Sequence, residues 1–78
     1  ADGMPAVLIR QLDALSTIMA AAPPGRAQVL LDQAAMIMRV SARTVPEPAD
    51  QADIAARHEA LLALHAQGAH SRLGGPTA

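Results

Sequence analysis

Apolar residues recur at helical spacing in three stretches of this chain, and proline or glycine separates each stretch from the next. The breaks are Pro5, Pro23-Pro24, Pro46, Pro48 and Gly68. In the first stretch Leu8, Leu12, Leu15, Met19 and Ala22 follow one another at spacings of four, three, four and three. That is one apolar helix face, widened by Val7 and Ile18, with Arg10, Asp13 and Thr17 opposite. The spacing predicts a helix over residues 5–21. Pro5 suits its first position, where a missing N–H costs nothing. Arg10 and Asp13 are placed to pair within it.

The second stretch predicts a helix over residues 25–44 with a broad apolar surface. Leu30, Ala34, Ile37 and Ser41 form one stripe. Leu31, Ala35, Met38, Ala42 and Val45 form the next, and Val29, Met36 and Val40 extend the first. Gln28, Asp32, Arg39 and Arg43 share a narrow polar line. A helix apolar around most of its circumference is covered by more than one neighbour, so this one is expected to be central or to face a partner.

Thr44 to Pro48 reads as a stiff connector, with Val45 and Glu47 extended because each precedes proline. A third helix is predicted over residues 49–67. Asp50 and Asp53 sit near its free N–H groups, Asp53 and Arg57 are spaced as an i,i+4 pair, and Gly68 suits a C-terminal cap. Its large apolar residues are Ile54, Leu61, Leu62 and Leu64. No stretch alternates with period two, so no strand is expected. Short connections favour antiparallel neighbours. The fold class is therefore all-α: a small up-down-up three-helix bundle over residues 1–67, with 68–78 a flexible tail. The alternative is a helical hairpin whose third helix swings away and is completed by dimerisation.

Composition narrows the chemistry. Half the chain is hydrophobic (51%), yet it contains no Phe, Tyr, Trp, Cys or Lys. Without cysteine there is no disulfide, thiolate nucleophile or thiolate metal site. At 78 residues the chain is near the lower size limit for independent folding, and a second protein surface is the natural extra source of stability. A net charge of −1 argues against nucleic acid or an anionic membrane as partner. The longest uncharged run, Ala14 to Gly25, is too short to span a bilayer and contains two prolines. No leader segment is visible, and a cytoplasmic location is expected, or the cytosolic part of a membrane protein. The chain opens at Ala1 rather than Met, which suggests an addition before Met4 or a piece of a larger protein.

Few side chains offer site chemistry. His58 and His65 share a helix face but stand two turns, about 10.5 Å, apart. Bonds of about 2.0–2.1 Å to zinc cannot bridge that gap. They read as edge-of-core residues. Ser16, Ser41 and Ser71 stand in no nucleophile turn, and Ser41 is expected to bond back to a carbonyl of its own helix. Glu47, Asp50 and Asp53 lack the spacing of a calcium loop and read as helix capping. Arg39 and Arg43 are like charges at i,i+4, which calls for acids elsewhere. Of the methionines, Met36 and Met38 cannot share one helix face, so one of them points away from the core. No catalytic residue, metal or cofactor is expected.

The run from Arg26 to Ala35, followed by Val45-Pro-Glu-Pro-Ala-Asp-Gln-Ala-Asp-Ile54, resembles the C-terminal soluble segment of a family of predicted bacterial polytopic membrane proteins of unknown function. There too a leucine-rich helix, a second helix, a proline connector and a final helix succeed one another. The resemblance covers about residues 5–66. It implies a cytosolic helical segment that packs on, or assembles, a larger protein, and it carries over no catalytic residue.

The expected function is non-enzymatic protein–protein association, most simply with a second copy or with the rest of a larger chain. Val29, Met36, Met38, Val40 and Ile54 are the expected contact residues. A regulatory bundle enclosing an apolar ligand, with His58 at the pocket mouth, is the alternative. A nucleic-acid binder, which would need Arg39, Arg43 and Arg57 on one surface, is a more distant one.

Overall fold

The computed structural model describes residues 3–74, and within them there are three helices and no strand. The first helix, α1, spans Gly3–Ala21. A 3-10 turn, Pro24–Arg26, leads into α2, Ala27–Thr44. The third helix, α3, spans Pro48–Gly74. All three pack against one another, α1 most extensively on α3. This is the all-α bundle that the apolar spacing predicts.

The helix ends differ from expectation in three places. The first helix begins two residues before Pro5, at Gly3, whose φ of 72° suits a residue without Cβ. Pro5 remains within the first turn, where N–H groups have no helical partner. The second begins as a 3-10 turn, with the Arg26 N–H donating to the Pro23 carbonyl at 3.0 Å, and becomes α-helical only at Ala27. The third does not stop at Gly68 but continues to Gly74. A mid-helix glycine costs only about 1 kcal/mol, and the neighbouring Ala69, Arg72 and Leu73 tolerate helix well. The segment expected to be a flexible tail is therefore helical over 68–74, and 75–78 lie outside the described residues.

The helices run up, down and up. Only residues 22–26 join α1 to α2, and the two helices pack along one another, so they run antiparallel, with residues 11–15 of α1 and 33–37 of α2 lining one groove. The three-residue connector 45–47 turns α3 back along α2, so α3 runs in the same direction as α1, and Asp13 of α1 meets Arg57 of α3, an offset of 44. In that register α1 is matched by α3 as far as about residue 65. The 27-residue α3, about 40 Å long, then passes beyond the α1–α2 turn. The molecule is accordingly elongated, 49 × 19 × 19 Å.

The core is a single cluster. Leu8, Leu12, Leu15 and Met19 of α1 are all buried, as their spacing predicts. They meet Ala27, Leu30 and Ala34 of α2, Val45 of the connector, and Ile54 and Leu61 of α3. Leu12, Ile54 and Leu61 are the largest side chains closed off almost entirely from solvent. Ile54, expected among the contact residues, is thus inside the bundle and unavailable to a partner. At the start of α3 it points the same way as Leu61, seven residues on, toward α1.

The second helix is not the central one. Its buried positions are Ala27, Leu30, Ala34 and Ser41, three of them small. Small residues let it approach α1 and α3 closely while burying little area, and much of its apolar surface faces outward. The connector is held by three contacts. The Val45 side chain is buried, its N–H donates to the Ser41 carbonyl at 3.0 Å, and its carbonyl accepts from Gln51 Nε2 at 2.6 Å. Val45 is extended, as its place before proline requires (φ −109°, ψ 103°).

Candidate interaction face

The outward apolar surface is organised as two rows. On α1, Val7, Gln11, Ala14 and Ile18 follow the spacing i, i+4, i+7, i+11. On α2, Val29, Gln33, Met36 and Val40 repeat the same spacing. Residues so spaced form one stripe along a helix. Because α1 and α2 are antiparallel neighbours, the stripes lie side by side on one flank of the bundle. Neither stripe holds a charged residue.

Between the rows is a groove of about 380 Å³, open to solvent, lined by Gln11, Ala14, Leu15, Gln33, Met36 and Ile37. Met36 is 60% exposed, Ile18 51% and Val29 49%. Val7 stands at the same edge, and Val40 is half-buried against the core. A scattered exposed apolar residue needs no explanation, but several aligned along a groove form a patch of the kind that marks contact sites.

Of the five expected contact residues, the structure brings Val29, Met36 and Val40 to this face. Met38 falls elsewhere. It is half-buried and lines a smaller hollow with Ser41, Ala42 and Gln51, between α2 and α3. The pair Met36 and Met38 therefore divides as the two-residue spacing requires, Met36 outward and Met38 toward the core. The α1 contribution, Val7 and Ile18, was legible in the sequence only as a widening of the core face. The matching four-three-four spacing on both helices is the signal that identifies it as a second stripe.

Charges mark the seams. Arg57 Nη1 donates to both carboxylate oxygens of Asp13, each at 3.0 Å, tying α3 to α1. The i,i+4 spacing pointed to Asp53 as the partner of Arg57; the cross-helix carboxylate takes it instead, because the parallel register sets Asp13 level with it. Both side chains are about half exposed, so the pair contributes little. On α2, Gln28 Nε2 donates to Asp32 Oδ1 at 2.9 Å. Arg39 and Arg43 are exposed and, among the described residues, meet no acid. They line the outer side of α2, whereas Arg57 sits at the α1–α3 seam, so the three arginines do not form one basic surface.

Among the described residues, the hydroxyls that bond back along their own helices are those of Thr17, to the Asp13 carbonyl at 3.1 Å, and Thr44, to the Val40 carbonyl at 2.8 Å. Ser41, expected to do so, instead borders the hollow beside Met38. His58 and His65 are half-buried on α3 and border neither hollow. No group of three or more metal-ligating side chains occurs among the described residues. No described helix is long and apolar enough to cross a membrane. Comparison with protein-family models, with curated proteins and with solved structures finds no match to this chain.

Proposed function

We propose that this chain is a non-enzymatic helical module for protein–protein association, and that its contact face is the α1–α2 flank with its central groove. The observation that carries the reading is the pair of uncharged, mainly apolar rows, with Met36, Ile18 and Val29 about half or more exposed. Water-exposed apolar area on two packed helices is released when a third surface covers it.

The resemblance noted above fits a segment that packs on or assembles a larger protein.

The test is solution mass against concentration, measured by light scattering with refractive-index detection because the chain has no aromatic chromophore. Met36→Asp places a charge at the centre of the flank, where the helix fold tolerates it and an interface does not. The reading expects loss of association with far-UV circular dichroism unchanged. Association unaltered by Met36→Asp would remove the α1–α2 flank as the contact face.

A further inference from the structure

We infer that the occupant of this flank is a second copy of the chain, docked with α2 antiparallel to α2 about a two-fold axis near Met36. This rests on the association reading and deepens it, by naming the partner and its register.

Charge complementarity along α2 selects this pairing. Asp32, Arg39 and Arg43 lie along the edge of the α2 row away from α1. Within one chain they cannot satisfy one another. Asp32 and Arg39 are seven residues apart, about 10.5 Å along the axis, beyond hydrogen-bond reach. Arg39 and Arg43 are one turn apart and repel. Asp32 receives only the neutral Gln28 amide on one oxygen, which leaves the other free to accept.

An antiparallel second helix resolves all three groups at once. A two-fold axis at residue 36 sets residue 32 of one copy level with residue 40 of the other. Asp32 then falls between Arg39 and Arg43 of the second copy, within about 2 Å and 5 Å along the axis. Symmetry makes the contact twice. The apolar rows meet at the same time, since Met36 lies on the axis and carries no charge to oppose itself.

The other ways of pairing two copies are disfavoured by the same charges. A parallel α2 pair sets Arg39 level with Arg39 and Arg43 level with Arg43, so neither arginine meets an acid. Laying α1 over the second copy's α2 sets Arg10 level with about Arg39, because residues 11–15 of α1 and 33–37 of α2 line one groove and so stand at the same height. Of these arrangements, only the antiparallel α2 pair sets Asp32 beside an arginine.

The experiment uses two charge-reversed chains, studied by sedimentation equilibrium with interference optics. Asp32→Arg makes the edge wholly basic, and Arg39→Asp with Arg43→Asp makes it wholly acidic. Each alone should self-associate at least about tenfold more weakly than the wild type, since like charges now face each other twice. An equimolar mixture should restore a complex of two chains, one of each kind. If each reversed chain associates as the wild type does, or the mixture restores nothing, the register is wrong.

Disulfide trapping gives an independent reading, because the chain has no cysteine of its own. Met36→Cys should cross-link to its own mate, while Val29→Cys should not, because residue 29 lies level with Arg43 of the second copy and about 21 Å along the axis from its own mate. Cross-linking at both positions means a parallel pair and overturns the proposal. A wild type that stays monomeric at every concentration overturns this inference together with the association reading. Association that Met36→Asp abolishes but charge reversal leaves intact overturns this inference alone.

Discussion

The α1–α3 seam and the α1–α2 flank are built from the same few residue types, and they end in different states. Along the seam, large aliphatic side chains from both helices interlock, and Leu12, Ile54 and Leu61 are cut off from water. The Arg57–Asp13 pair closes its outer edge. On the flank, α2 turns small residues inward at Ala27, Ala34 and Ser41 and carries Val29 and Met36 outward. The seam is finished within one chain, whereas the flank leaves a groove. Apolar content alone does not distinguish the two. What separates them is whether the bulky residue in each turn sits on the inward or the outward stripe.

The comparison breaks most readily at the seam. Ile54→Ala should cost about 2–5 kcal/mol, the range for truncating a buried aliphatic side chain. At roughly 4–8 °C per kcal/mol, the melting temperature should fall by about 10 °C or more. Thermal melts followed at 222 nm measure this. A loss no greater than that from Val29→Ala would mean that seam and flank do not differ.

Removing the clamp on the connector should have a smaller effect. Gln51→Ala deletes the 2.6 Å bond to the Val45 carbonyl and should lower stability by about 1 kcal/mol. Urea titration should show a lower midpoint with unchanged slope, since the surface exposed on unfolding stays the same.

Neutralising the edge pair should matter less. Asp13→Asn should cost about 0.5 kcal/mol at low ionic strength, because both partners are half in water. Salt should shrink the difference between variant and wild type. A large, salt-independent cost would make the pair more than an edge contact.

The smallest effect on folding belongs to the flank. Val29→Ser in dilute solution should change unfolding free energy by about 0.5 kcal/mol or less, as surface substitutions do. The same change should weaken self-association measurably at high concentration. That opposition, little for the fold and more for assembly, is the sharpest form of the contrast with Ile54.

Much of this was legible in the residues. The four-three-four-three spacing from Leu8 to Met19 specifies a helix and its buried face together, because 3.6 residues per turn returns those positions to one side. The prolines set where α1 and α2 end, and the two-residue step required Met36 and Met38 to point to different sides, though which of them faces outward was not legible. Other features were not legible. Gly68 has the look of a cap, yet its backbone is helical, since glycine permits a stop without enforcing one. Arg57 had a local acid in Asp53 and took a distant one. Ile54 was grouped with contact residues because nothing local separates a core isoleucine from a surface one.

The sequence by itself determined the three helices, their approximate ends apart from the C-terminal end of α3, and the core-facing apolar stripe of α1, because hydrophobic period and backbone chemistry act within a few residues. Only the tertiary structure decided which stripe was covered. The register of α1 against α3 brought Asp13 to Arg57 and sealed Ile54. The packing of α2 through its alanines turned Val29 and Met36 toward solvent. Coverage depends on which surfaces meet across the bundle. That is settled by side-chain volume and helix register together, and neither can be read one residue at a time.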